Sequence, residues 1–300
     1  MCDARLVRLD HQAHATRSQL SGVLLALGTL GLFAGALAIR GRLIFGFVVL
    51  AAIFVPMERM FALHRQPTFR KGWRTDLVHF VVNNLLTTVF VILALITVGA
   101  ALTTLVPGGL RLAVAHQSLP LQAVEAFLLA SLFGYWGHRA AHTVPVLWRF
   151  HRVHHSIEEM DWLAAAHLHP IDQAFTRSCV ILPLVALGFS RGVFGAFVGF
   201  ITLQAIFIHA NVRFRFGPLR WLVSTPEFHH WHHSGDPATY NSNFAGEFPW
   251  IDLIFGTLYL PSSGIPDSYG IAESPPKGYL AQLAWPFHGG IEDGSIAGSN

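Results

Sequence analysis

Three short runs place eight of the chain's eighteen histidines at a repeated spacing. They are His138-Arg-Ala-Ala-His142, His151-Arg-Val-His154-His155 and His229-His230-Trp-His232-His233. Residues three and four apart share one face of a helix, so each run aims two or three imidazoles at one point. Imidazole is a common ligand for zinc, iron, copper and nickel. Burying that many imidazoles without partners would be costly, so metal binding is the expected role. One ion cannot use all of them, and two can. His11, His14, His64, His116 and His288 stand outside the runs and read as ordinary interfacial side chains.

The chemistry narrows further by type. A structural zinc needs only four ligands and has no redox chemistry. The first run carries Arg139 where a His-Glu-x-x-His protease helix has its glutamate. Two irons that activate O2 fit a lipid-facing protein better, because iron can attack an unactivated C–H bond. The nitrogen-rich set also differs from the Glu-x-x-His sites of soluble di-iron bundles. Ligating histidines need the second ring nitrogen held by a carboxylate, a carbonyl or water. Glu158, Glu159, Asp161, Asp172, Glu227 and Asp252 lie near the runs. Asp161 and Asp172 are the expected orienters, while Glu158 and Glu159 read as a solvated loop. His230 interrupts the third run, points off its face and is expected behind the ligands.

These side chains must be positioned by helices in a membrane. The chain is 52% hydrophobic and 12% charged, with a mean hydropathy of +0.46. A soluble domain has about 25% charged residues. The net charge of +3 fits anionic headgroups and a positive-inside bias, and the basic residues form no stripe suited to nucleic acid. Cys2 and Cys179 provide no disulfide framework, and Cys179 reads as a buried thiol.

The expected fold class is all-α: an integral membrane helical bundle of about four transmembrane helices plus a shorter apolar hairpin, with a cytoplasmic helical cap holding the histidine-rich di-metal site. A polar segment covers 1–19. The transmembrane region covers 20–136, with apolar segments at Leu20–Ile39, Leu43–Met57, Leu77–Val106 and Leu121–Trp136. Ala36-Leu-Ala38 resembles a signal-peptidase site, but the apolar run is long and another follows, so a retained helix is the better reading. The catalytic region covers 137–260 and includes the apolar hairpin 178–208, whose arms are short for a full crossing. A loose tail covers 261–300.

The basic loop at 59–74 is expected in the cytoplasm, which places the histidine runs on that side. Arg40 and Arg42 on the outer turn count against this topology. Asp76, His79 and Asn83 fall at i, i+3 and i+7 on the third segment. They are expected to line a substrate path or brace the site, with plain helix–helix hydrogen bonding as the alternative.

The motifs together resemble the fatty acid hydroxylase / sterol desaturase superfamily of integral-membrane di-iron enzymes. The resemblance runs from about Gly72 to Tyr269. It is carried by Gly134-Tyr-Trp-Gly-His138, Trp148-Arg-Phe-His-Arg-Val-His-His-Ser156, His169-Pro170, His209-Ala-Asn-Val212, Thr225-Pro-Glu-Phe-His-His-Trp-His-His-Ser234 and Trp250-Ile-Asp-Leu-Ile-Phe-Gly-Thr257. It implies that His138, His142, His151, His154, His155, His229, His232 and His233 are iron ligands. It adds His209 and His169 as further ligands and assigns no role to His167.

The implied cofactors are two Fe ions, with O2 as co-substrate. The implied reaction is hydroxylation or desaturation of a sterol, a fatty acyl chain, an ether lipid or a related lipid. No flavin, nucleotide or haem-attachment motif is present, so electrons are expected from an external donor: a ferredoxin, a cytochrome b5-like protein or a reductase. The competing readings are a membrane metal transporter or chaperone, and an inactive zinc-bound lipid-binding relative.

Overall fold

The computed structural model describes residues 41, 43–262 and 264–288. The described residues are helical, with two isolated antiparallel bridges, Ala62 to Val212 and Ser234 to Tyr269. By contacts the chain divides into Met1–Ile53 and Phe54–Asn300. Within the first unit the described residues continue one helix. The second unit holds all of the histidine runs. The apolar segment Leu20–Ile39 lies outside the described residues.

Among the described residues, four helices are long and apolar enough to cross a membrane: α1 (Leu43–Phe61), α2 (Trp73–Leu105), α4 (Leu119–Thr143) and α7 (Arg191–His209). A π-helical stretch at Leu95–Gly99 interrupts the α-helical pattern of α2. Between the spans lie α3 (Gly108–His116), α5 (Pro145–His155) and α6 (Pro170–Leu187). Three short helices complete the fold: α8 (Pro226–His232), α9 (Pro249–Ile254) and α10 (Tyr279–Ala284). The second arm of the expected hairpin is a helix of 19 residues, long and apolar enough to cross a membrane.

The spans are apolar outside and polar inside. On α2, Val81, Leu85, Val89, Ile92 and Ile96 are exposed, whereas Asp76, His79, Asn83 and Thr87 are buried. That distribution suits lipid, where the helix exterior meets hydrocarbon and polar side chains must find partners within the bundle. Thr87 Oγ1 donates to Gln173 Oε1 on α6 at 2.8 Å.

An apolar core joins α3, α4, α6 and α7 through Val114, Ala126, Ala130, Leu184, Val193 and Phe197. Gly137 on α4 meets α6 closely, since a Cβ there would lie 2.9 Å from Cys179 Cβ. This small residue immediately precedes the first histidine. Cys179 itself is only partly buried.

Helix ends decide where the histidines go. His138 and His142 occupy the last two turns of α4, and His151, His154 and His155 the last turns of α5. His209 ends α7. α8 starts on Thr225, whose hydroxyl accepts from Phe228 N at 3.3 Å, and it carries the third run. Pro145, Pro170 and Pro226 stand at helix starts, where a missing N–H costs nothing. α6 leads away from the histidines, Gly188 closes it at φ 87°, and α7 returns.

The segment read as a loose tail packs back onto the bundle as far as residue 288. Gln282 on α10 accepts from His79 Nε2 at 2.9 Å, and Tyr279 OH donates to Asn83 Oδ1 at 3.0 Å. Trp285 is buried under the Arg152 guanidinium, 4.4 Å from its ring centre. Polar residues on α2 that need partners hold this segment, which its Gly, Pro and Ser content does not reveal.

Candidate metal centre

The three runs and His209 meet in two adjacent sets. His138, His142, His151, His155 and His232 form one; His154, His209, His229 and His233 form the other. Within each set the ligand atoms lie within 4.8 Å of one another. The sets abut through His155 and His233, whose rings stack at 4.4 Å between centroids. Nine of the ten histidines expected as ligands are thus brought together. Each helix enters by its C-terminal end, where unsatisfied carbonyls carry partial negative charge that favours a cation.

Backbone carbonyls orient four of the nine rings. Nδ1 donates to Phe244 O from His138 at 2.7 Å, to His167 O from His154 at 3.1 Å, to Ala205 O from His209 at 2.6 Å and to Ser242 O from His232 at 2.7 Å. His151 Nδ1 lies 3.0 Å from Asp172 Oδ2, as expected for that orienter. A carbonyl only accepts, so these Nδ1 atoms carry the hydrogen and, in the neutral ring, leave Nε2 as a lone pair.

The lone pairs then face each other. His154 Nε2 and His209 Nε2 are 3.1 Å apart, and His209 Nε2 and His229 Nε2 are 3.1 Å apart. In the other set His138 Nε2 and His151 Nε2 are 3.2 Å apart. Two nitrogens held at about 2.1 Å from one ion and at right angles would be about 3.0 Å apart. His142 Nε2, His155 Nε2, His232 Nε2, His229 Nδ1 and both nitrogens of His233 are buried without a hydrogen-bond partner. Each such orphan costs about 1–3 kcal/mol unless something accepts or donates.

Burial, and then the neighbouring imidazoles, hold His154, His155, His229 and His233 well below the ordinary imidazole range. Burial brings His232 down to about 3. Neutral imidazoles at pH 7 are the form that ligates a metal. The donor set therefore fits a pair of transition-metal ions.

Other expected site residues stand elsewhere. His169 joins neither set. Its Nδ1 accepts from Ile171 N at 3.1 Å, its Nε2 donates to Leu283 O at 3.1 Å, and it caps α6. His230 turns away from both sets, with Nδ1 2.8 Å from Tyr269 OH. Asp161 orients no histidine. Its Oδ1 accepts from Arg70 at 2.7 Å and caps the 3-10 turn at Ala164 N.

Arg70 also pairs with Asp76 at 2.6 Å, and Asp76 with His167 Nδ1. His79 Nδ1 lies 3.0 Å from Leu168 O, and Asn83 Nδ2 donates to the same oxygen. Asp76, His79 and Asn83 are thus buried and bonded rather than arranged along an open path. They hold the 167–168 backbone, whose His167 carbonyl orients His154.

Sequence reasoning missed the supports made of backbone. Asp252 Oδ1 and Oδ2 accept from Phe244 N at 2.8 Å and Ala245 N at 2.9 Å, and Thr257 Oγ1 donates to Oδ1 at 2.7 Å. This fixes the peptide whose carbonyl holds His138. Asn243, at φ 59°, sits between the two carbonyls that hold His138 and His232, and its side chain bonds Phe228 O and Tyr259 O. Asn is among the few side chains that tolerate a left-handed backbone, and that was the available signal.

With this arrangement in hand, the chain was compared with known proteins. Residues 123–257 match the family model for fatty acid hydroxylase. Over that stretch the chain carries a fatty acid hydroxylase domain. An ornithine lipid hydroxylase from Rhizobium tropici is 37% identical over 172 residues, 56% of this chain and 51% of the relative. The human alkylglycerol monooxygenase is 35% identical over 134 residues, 45% of this chain and 30% of the relative. A very-long-chain aldehyde decarbonylase from Oryza sativa subsp. japonica is 28% identical over 152 residues, 47% of this chain and 57% of the relative. The matched stretch therefore spans about half of the hydroxylase and under a third of the monooxygenase. No solved structure matches the chain.

Proposed function

We propose that this chain is a membrane-bound, O2-dependent di-iron lipid oxidoreductase that hydroxylates a C–H bond of a lipid, desaturation being the variant outcome. The observation that carries the reading is the set of opposed Nε2 atoms, with His138, His151, His154 and His209 fixed from behind by a carbonyl or Asp172. His138, His142, His151, His155 and His232 would hold one iron. His154, His209, His229 and His233 would hold the other. A pair of irons would supply the electron exchange with O2 that acid–base side chains cannot.

The choice of iron over zinc rests on redox need, and the hydroxylase and monooxygenase named among the relatives support it. The chain's own residues bind and aim the ions, keep His154, His155, His229, His232 and His233 neutral and exclude water through burial. Substrate enters from the bilayer. Reducing electrons come from an external donor such as a ferredoxin, a cytochrome b5-like protein or a reductase. The basic loop at 59–74 favours placing the centre on the cytoplasmic side.

Lipid extracts from cells expressing the wild type and His154→Ala, compared by mass spectrometry, test the reading. The wild type is expected to yield a lipid with one added oxygen, or one lacking two hydrogens, that His154→Ala loses entirely. Identical extracts from the two strains would reject it.

A further inference from the structure

A second cavity lies outside the histidine sets. Its volume is about 340 Å³, and Glu58, Arg59, Arg65, Thr68, Asp161 and Asn211 are among its walls. Asn211 is two residues beyond His209, so the cavity adjoins the histidine-bearing end of α7 without sharing a ligand.

The charges are sorted. Glu58 Oε1 accepts from Trp162 N at 2.7 Å and Asn211 N at 2.9 Å. Asp161 Oδ1 accepts from Arg70 and Ala164 N. The second oxygen of each carboxylate has no hydrogen bond among the described residues. Arg70 is shared between Asp76 and Asp161, and Glu58 has no ion pair among the described residues, so the inner wall holds more carboxyl groups than cations. At the rim, Arg59 donates to Thr68 Oγ1 at 2.7 Å, and neither Arg59 nor Arg65 pairs with a carboxylate among the described residues. An anionic floor beneath a cationic rim complements a molecule carrying both charges.

Location selects the kind of molecule. Glu58 and Arg59 lie in the last turn of the apolar helix α1, next to the exposed Met60 and Phe61. The cavity thus opens at the boundary between apolar and polar surface, where headgroups reside. Its volume is at the small end for ligand sites and suits a headgroup rather than a whole lipid.

We propose that this cavity binds the zwitterionic headgroup of a lipid, with its ammonium against Glu58 and Asp161 and its phosphate or carboxylate against Arg59 and Arg65. The assignment rests on the lipid-oxidoreductase reading and adds the headgroup class to it. It places a bound lipid beside the iron-binding end of α7.

The full chain in detergent, titrated with phosphatidylethanolamine, phosphatidylglycerol and diacylglycerol and read by native mass spectrometry, tests it. The zwitterion is expected to bind about tenfold more tightly than the anion, as one charge-assisted bond allows. Glu58→Gln should erase that preference while still accepting both backbone N–H groups. Arg65→Gln, an exposed change, should weaken both charged lipids and spare diacylglycerol. Equal binding of all three lipids, or an unchanged preference in Glu58→Gln, would overturn the proposal. So would free O-phosphoethanolamine displacing the lipid at equal concentration. A wild-type chain that shows no preference yet holds iron and forms product rejects the cavity alone. A preserved preference without iron or product rejects only the oxidoreductase reading.

Discussion

Two buried polar regions lie back to back in this protein, and they differ in how their polar atoms are satisfied. In the Arg70–Asp76–Asp161–His167 network, the Arg70 guanidinium meets both carboxylates and Asp76 also meets His167. In the histidine sets, carbonyls and Asp172 satisfy one nitrogen of five rings, while the other nitrogens converge on each other or on nothing. Burial is comparable in the two. In the first region the charges pair within the protein, although Arg70 Nε and His167 Nε2 have no partner among the described residues; in the second the nitrogens converge on common points, as ligands of an ion do. The first region supports the second through the His167 carbonyl.

That contrast can be broken by mutation. The largest expected effect is on stability. Arg70→Met leaves Asp76 and Asp161 buried without their shared cation, and removing one partner of a buried pair costs about 3–5 kcal/mol. The melting transition in detergent should fall accordingly, whereas iron per folded chain should stay near that of the wild type. Full loss of iron in the folded fraction would mean that the two regions are not separate.

A smaller effect is expected at His169. As the N-cap of α6 it should contribute about 1 kcal/mol, so His169→Ala should lower the transition slightly and retain iron. Loss of one metal equivalent would instead make it a ligand.

A pH dependence of stability is also expected. His232 falls to about 3 in the folded protein against 6.5 for a free imidazole, and His154, His155, His229 and His233 shift the same way. The unfolded chain therefore binds more protons between these limits, and stability is lost as pH falls below about 6.5. Thermal scans of metal-stripped protein should show a falling transition from pH 7 to pH 5 and a flat one above. Added metal should steepen the acid loss, since protons compete with it. No change between pH 7 and pH 5 would contradict the neutral, buried state of these rings.

The ligand-bearing faces were legible because helical periodicity puts His138 with His142, and His151 with His154 and His155, on one side. The apolar spans were legible for the same reason. His209 stands alone in its stretch, so no spacing marks it, and the family resemblance was needed. Most of the orienting groups are carbonyls of Phe244, His167, Ala205 and Ser242, and a carbonyl leaves no trace in residue type. His169 caps α6, and the signal for that role existed, since a polar residue directly before Pro170 is how a helix begins. Asp161 was nearer in sequence to the second run than the carbonyls are, but proximity along the chain did not decide which group reached a ring.

The central claim is that two sets of imidazoles hold two redox-active ions. Metal content of the full chain purified in mild detergent, by inductively coupled plasma mass spectrometry, tests it most directly, with His154→Ala and His142→Ala in parallel. The account predicts close to two irons per wild-type chain and a loss in each variant, because one variant opens each set. One metal or none in the wild type, or zinc held in place of iron with oxidation products still formed, would contradict it.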